Sequence, residues 1–244
     1  MTRVLVISDV HANAVALEAV LTDAGKVDQT WCLGDVVGYG PQPNECIERI
    51  RSLPNLTCLM GNHDFAAADE NPLETFNSDA KKALLWQRKL FNEGSRRFLS
   101  SLPAGMVVHG EVSLVHGSPR DPVWEYVMNT HVARVNLTFF DTPWCFIGHS
   151  HFQAIFQFRA ATDDMSIEVP RPTEQYELKE RAFLNPGSVG QPRDRDPRAA
   201  YSIFSPETHT WEPRRVAYDI KSVQKMILSA GLPPRHAERL AGGW

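Results

Sequence analysis

Val4-Leu5-Val6-Ile7-Ser8-Asp9-Val10-His11 opens the chain with a short apolar run that ends on an acid and an imidazole. Four branched or apolar residues bounded by polar ones predict a buried strand. The pattern recurs twice: Thr30–Leu33 runs into Gly34-Asp35, and Leu56–Met60 into Gly61-Asn62-His63-Asp64. Between these runs, Ala14–Ala24 carries Leu17, Val20 and Leu21 at helical spacing and stops at Gly25. Pro43–Leu53 begins on a proline and sets Ile47 and Ile50 on one face, a second helix. Strand, helix, strand, helix, strand requires crossover connections, and hence a largely parallel sheet in an α/β fold.

Farther along, this rhythm breaks. Within 65–103, Ser78 is placed to cap a helix running to about Phe91, and Ser95 to cap a shorter one. Met106–His109 and Val112–His116 predict a hairpin around Gly110-Glu111. The mixed segment 117–143 contains a helix near His131–Phe139; Trp144–Ile147 and Gln153–Phe158 predict two strands. An acidic loop or ragged hairpin spans 160–180. Ala182–Leu184, Ala199–Phe204 and Arg214–Ala217 predict strands, and Asp219–Ala230 and Pro234–Leu240 predict helices. With no repeat and no low-complexity tract, 1–244 is expected to be a single domain, with 65–103 and 117–143 forming a small helical cap.

The chain has 244 residues, of which 43% are hydrophobic and 22% charged, the composition of an ordinary globular protein. No stretch approaches the roughly 20 apolar residues of a membrane helix. The opening apolar run is too short for a secretory signal, so the expected location is the cytoplasm. A net charge of −4 argues against a dedicated nucleic-acid surface. It leaves small anionic substrates open, because bound cations invert the field of an acidic site. Cys32, Cys46, Cys58 and Cys145 lack metal-type CxxC spacing and are expected to be reduced thiols, mostly buried.

The chemistry lies in five polar clusters: Asp9-Val10-His11, Gly34-Asp35, Gly61-Asn62-His63-Asp64, His116-Gly117 and Gly148-His149-Ser150-His151. Four of them directly follow a predicted strand. Ligands of open α/β sheets collect outside the carboxyl ends of strands, where side chains from several strands converge. Alone, each cluster has a plainer reading: Asp-x-His as a helix cap, Gly-Asn-His-Asp as a turn, His116 as a core histidine. Together they hold five of the nine histidines. Seven nitrogen and oxygen ligands exceed the four of a structural zinc and suit two ions sharing a carboxylate. The glycines before Asp35, Asn62 and His149 allow sharp turns and close approach.

Taken in order, these clusters resemble the signature of the calcineurin-like metallophosphoesterases, over about residues 3–205. Gly34-Asp35-Val36-Val37-Gly38-Tyr39-Gly40-Pro41 and Leu184-Asn185-Pro186-Gly187-Ser188-Val189-Gly190-Gln191-Pro192-Arg193 resemble its small prokaryotic phosphodiesterase branch, which includes asymmetrical diadenosine tetraphosphate hydrolases. The resemblance implies a four-layer αββα fold, two packed mixed sheets flanked by helices. It also implies two metal ions: Asp9, His11 and His151 for the first, Asn62, His116 and His149 for the second, Asp35 bridging. Manganese is the leading metal, with iron, zinc, cobalt or nickel as alternatives. His63 would be the catalytic histidine that is not a ligand, and Asp64 would orient it. The implied reaction is in-line attack by a metal-bound hydroxide on a phosphodiester or phosphoanhydride of a small nucleotide, diadenosine polyphosphates included.

Arg193, Arg195 and Arg198 alternate with Asp194 and Asp196, which fits either a self-paired loop or a fork gripping phosphate. Arg193, directly after the Asn-Pro-Gly turn, is the expected substrate-binding residue. Trp86, Trp124, Tyr126, Phe139 and Phe140 are expected to pack the core or cap rather than to stack on a base. The competing functions are a non-catalytic binding scaffold on the same fold, and a phosphomonoesterase or protein phosphatase. Intact candidate ligands and His63 argue against the first, and compact length against peptide-docking elements. Oligomeric state is not encoded in any of these features.

Overall fold

The computed structural model describes residues 1–68 and 73–244. Its strands are β1 (Val4–Ile7), β2 (Gln29–Cys32), β3 (Leu56–Cys58), β4 (Val107–His109), β5 (Val112–Leu114), β6 (Trp144–Phe146), β7 (Gln153–Arg159), β8 (Asp164–Glu168), β9 (Tyr176–Glu177), β10 (Arg181–Pro186), β11 (Ala199–Ser205) and β12 (Thr210–Val216). They form two six-stranded sheets in the orders β3-β2-β1-β11-β12-β9 and β4-β5-β6-β10-β7-β8. Both sheets are mixed. β1, β2 and β3 are parallel, and β11 runs antiparallel to β1. In the other sheet β5, β6 and β10 are parallel, flanked by antiparallel β4 and β7.

Alternation along β1 shows why the layers stack. Val4 and Val6 point into the seam between sheets, against Leu114, Trp144, Phe146 and Leu184; Leu5 and Ile7 point the other way, into a cluster with Leu17, Ile47 and Leu84. That cluster is roofed by α1 (Ala14–Ala24), α2 (Pro43–Arg51), α3 (Asn62–Ala68), α4 (Ser78–Leu90) and α5 (Glu93–Ser101). The outer face of the second sheet is covered by α6 (Thr130–Asn136), through Ala133, with Phe156 and Phe183 beneath. α7 (Ile220–Ser229) and α8 (Pro234–Gly242) pack on each other and on Ala83 of α4. The four-layer αββα expectation is thus met.

Several local expectations shift. Asn77 and Asn92, rather than Ser78 and Ser95, cap α4 and α5; Asn77 Oδ1 accepts from Asp79 N and Ala80 N, and Asn92 Oδ1 from Ser95 N. β12 extends back through Pro213, tolerated because β9 pairs only at Thr210 and Trp211, which leaves that side of Pro213 outside the ladder. The helical segment begins at Asn62, and α4 and α5 belong to the helical layer through Leu84 and Leu99 instead of standing off as a cap. Only Thr75, Phe76 and Asn77 from this part, with Trp124 and Tyr126 from the other, reach the cavity described below; positions 69–72 lie outside the described residues. All four cysteines are free and buried. Among the described residues, no helix is long and apolar enough to cross a membrane.

Candidate metal centre

Every predicted ligand lies just past the carboxyl end of a parallel strand. Asp9 and His11 follow β1, Asp35 follows β2, Asn62 opens α3 after β3, His116 follows β5, and His149 and His151 follow β6. The first four come from one sheet and the last three from the other, so the cluster straddles the seam. The loops are tied to one another by main-chain bonds: Asp9 N donates to Gly34 O (3.0 Å), His11 N to Asp35 O (2.9 Å) and Gly190 N to Asp9 O (2.9 Å).

Asp9, His11, Asp35, Asn62, His116, His149 and His151 are all buried. Asp9, His11, Asp35 and His151 offer one ligand atom each within 4.8 Å of one another, and Asp35, His116 and His149 do the same. Asp35 belongs to both groups. Its Oδ2 stands 3.6 Å from His11 Nε2 and 3.6 Å from His116 Nε2. Asn62 Oδ1 lies 3.3 Å from His116 Nε2.

The imidazole orientations follow from their outer contacts. His11 Nδ1 faces the Val37 carbonyl (2.9 Å), His116 Nδ1 that of Leu33 (2.8 Å) and His151 Nδ1 that of Gln191 (2.6 Å). His149 is reversed: its Nε2 faces the Trp124 carbonyl at 3.2 Å. A carbonyl only accepts, so in each ring the outer nitrogen carries the hydrogen and donates, and the inner nitrogen presents a bare lone pair. The consequence is a concentration of acceptors. His11 Nε2 and His151 Nε2 meet at 3.1 Å, and Asp9 Oδ1 lies 3.2 Å from His151 Nε2. Asp9 Oδ1 is buried and has no hydrogen-bond partner. Acceptors converging without donors in a dry site are strongly unfavourable unless a cation lies among them. The donor set therefore fits metal ions.

The titration behaviour has the same origin. Burial pushes Asp9 up to about 7 and drives Asp35 well above the usual carboxylate range, helped by neighbouring Asp64. Burial holds His11 and His151 well below their ordinary value and lowers His149 to about 2. Neutral imidazole is the form that binds metals, and a bound cation restores the ionised carboxylate.

Backbone strain accumulates here. Asp9, His11, Asp35, His149 and His151 have φ of 54°, 48°, 54°, 63° and 59°. Residues bearing a Cβ are disfavoured in that region by roughly 1–3 kcal/mol each, and such strain gathers at functional sites. Of the three expected glycines, only Gly34 needs a positive φ, at 105°. Gly61 serves close approach, since a Cβ there would lie 2.1 Å from Asp35 Oδ1.

The calcineurin-like phosphoesterase superfamily domain matches residues 2–209. The chain belongs to this superfamily. It is 36% identical, over 98% of its length and 97% of the relative, to an uncharacterized protein of Methanocaldococcus jannaschii. A crystal structure of a metallophosphoesterase from Sphaerobacter thermophilus superposes with TM-score 0.92 and 44% identity, covering 100% of this chain and 99% of that one. A hypothetical protein from Pyrococcus horikoshii OT3 shares the fold at TM-score 0.80 and 21% identity, with 100% and 99% covered. Membership and the buried cluster together make this superfamily member a metal-dependent phosphoesterase.

His63 lies beside the cluster, its ring enclosed by His11 (4.9 Å between centroids), Tyr39 (4.4 Å) and Phe76 (4.9 Å). Burial keeps it neutral. Asp64, expected to orient His63, does something else. Its carboxylate accepts from Val36 N (3.2 Å), Val37 N (3.1 Å) and Gly61 N (3.1 Å), while His63 Nδ1 has no hydrogen-bond partner. Three amides occupy Asp64, so it clamps the Asp35 loop to the start of α3.

Of the three arginines, only Arg193 turns to the site. Its Nη2 donates to Gln191 Oε1 (2.9 Å) and contacts Tyr39 Oη (3.4 Å), with the guanidinium 5.7 Å from the Tyr39 ring centre. Arg198 is paired with Asp196, and Arg195 is exposed, so the wider fork is not formed. Trp86 and Phe140 pack in hydrophobic clusters as expected. Trp124 and Tyr126 do not. With Tyr39, Asn62, His63, Thr75, Phe76, Asn77 and His149 they line a cavity of about 150 Å³. A larger surface hollow of about 1000 Å³, lined by Arg88, Lys89, Arg96 and Arg97, contains none of the site residues; volume alone does not make it the reaction site.

Proposed function

We propose that the enzyme hydrolyses phosphodiester or phosphoanhydride bonds in small nucleotides, with dinucleoside polyphosphates such as diadenosine tetraphosphate as the leading class. One observation carries this reading: two groups of inward-facing acceptors share Asp35, and the second borders, through His149, a cavity lined also by His63 and by Tyr39, which Arg193 contacts. Asp9, His11 and His151 would hold one ion, and Asn62, His116 and His149 the other, with Asp35 common to both. Bound there, two ions supply Lewis acidity to a phosphoryl oxygen and acidify the attacking water. The imidazole-rich set with hard oxygens supports manganese as the metal.

The chain's own groups do the rest. Arg193 offers a guanidinium fork for a phosphate oxygen. The neutral His63 donates its ring N–H as a hydrogen bond to a phosphoryl or leaving-group oxygen, a contact of the kind that typically contributes about 10²–10³-fold. Asp64 keeps the Asp35 loop in register. Tyr39 and Phe76 pack on the His63 ring and exclude water from that side of it.

The test compares turnover of bis-p-nitrophenyl phosphate, diadenosine tetraphosphate and a phosphomonoester by chelated and manganese-reloaded protein. Activity is expected only after reloading, with the diester and anhydride preferred. Full activity of the chelated protein would overturn the metal assignment, and a monoester turned over ten times faster would overturn the diesterase assignment.

A further inference from the structure

Trp124 and Tyr126 belong to none of the hydrophobic clusters of the described residues, unlike Trp86 and Phe140. Tyr126 stacks one face on His149, with ring centres 3.7 Å apart and planes 17° from parallel, yet remains 45% exposed. Phe76 lines the same cavity, its ring meeting Trp124 edge-to-face at 5.9 Å. An aromatic face left open at the mouth of a polar site is available for a flat apolar group to stack on.

The loop carrying these rings is built to hold its shape. Glu125 accepts from Ser118 Oγ (2.6 Å) and Asn136 Nδ2 (2.8 Å) and pairs with Arg120. Trp124 N donates to Asp121 Oδ1 (3.2 Å), and Trp124 O receives the His149 ring hydrogen (3.2 Å). At the rim stands Asn77, its oxygen used to cap α4, which leaves the side-chain NH₂ as a donor for a ligand acceptor. The cavity, about 150 Å³, is smaller than the roughly 300 Å³ at which whole drug-sized ligands begin to fit, so it encloses one ring system and not an entire dinucleotide.

We infer that the cavity lined by Tyr126, Trp124 and Phe76 is a base-stacking subsite, taking the nucleobase of the nucleoside esterified to the phosphate handled beside His149. The second half of a dinucleotide lies in solvent. The attachment to a scissile phosphate rests on the proposed function; the stacking does not. Because Tyr126 stacks directly on His149, a member of the second ligand group, a base on the open face of Tyr126 lies one ring away from that group.

The experiment titrates manganese-loaded protein with adenosine 5′-monophosphate and ribose 5-phosphate, which share a phosphate and differ in the base, by calorimetry. Stacking on an aromatic typically strengthens binding roughly five- to 150-fold. The nucleotide is expected to bind tighter within that range, the preference collapsing towards one in Tyr126→Ala and Phe76→Ala and surviving in Tyr126→Phe. Equal affinities in the unmodified protein, no measurable nucleotide binding at millimolar concentration, or a preference kept by both alanine variants would overturn the inference. Loss of ester hydrolysis with the base preference intact would count against the proposed reaction alone. Diester hydrolysis without any base preference would count against the subsite alone.

Discussion

Asp35 is the one carboxylate common to both ligand groups, and replacing it with asparagine isolates that fact. The group Asp9, His11, Asp35, His151 and the group Asp35, His116, His149 both lose a charged member in Asp35→Asn, whereas Asp9→Asn touches only the first. An ion present at a hundred times its Kd stabilises the folded state by about 2.7 kcal/mol. In a chain of 244 residues each kcal/mol moves Tm by roughly 2–4 °C, so one ion corresponds to about 5–11 °C and two to about twice that. The assay is thermal unfolding of chelated protein against rising manganese, with elemental analysis of the gel-filtered product. The unmodified protein is expected to show the two-ion shift, Asp9→Asn about half of it, and Asp35→Asn almost none. An Asp35→Asn variant that keeps two ions and the full shift would refute the shared-ligand reasoning.

Three further outcomes follow from other contacts. His63→Asn is expected to cut turnover at least about a hundredfold while retaining two ions, since His63 lies beside the ligands without belonging to either group; loss of an ion in step with activity would reassign it. Arg193→Ala should lower kcat/KM for diadenosine tetraphosphate more than for bis-p-nitrophenyl phosphate, and equal losses would remove its role as a phosphate contact. Burial opposes ionisation of Glu125, but hydrogen bonds from Arg120, Ser118 and Asn136 outweigh it and pull the carboxyl down to about 2 from 4.5. Its folded value is depressed, so its contribution is complete above about 4.5 and disappears as pH falls through about 2. Glu125→Gln should therefore lower Tm at pH 7, with the gap to the unmodified protein closing towards pH 2; a gap independent of pH would show that the carboxylate charge is not involved.

The strand ends were legible because the run Val4–Ile7 and its counterparts stop abruptly on Asp or His, and polar residues there have nowhere to point except the seam. Other features had no such signature. Gly61-Asn62-His63-Asp64 has turn composition, yet it starts a helix, because Asp64 accepts from Gly61 N three residues back and from Val36 N and Val37 N, which only the tertiary arrangement brings to it. The carbonyls that orient the histidines belong to Leu33, Val37, Trp124 and Gln191, and a carbonyl is present at every position, so no residue type marks them. Tyr126 and Trp124 sit in an aperiodic loop where helical or strand spacing offers no guide to the buried side. Arg193, Arg195 and Arg198 look alike in sequence; only the pairing of Arg198 with Asp196 and the exposure of Arg195 separate them.

The ligand groups draw on loops from both sheets, and that has a mechanical consequence. Two stacked sheets held by apolar contacts open most readily at one end, like a book. Here the carboxyl ends of β1, β2, β3, β5 and β6 share that end, and ions gripped there act as rivets across it. Metal loading should consequently slow amide exchange most at that end of the strands, including β5 and β6.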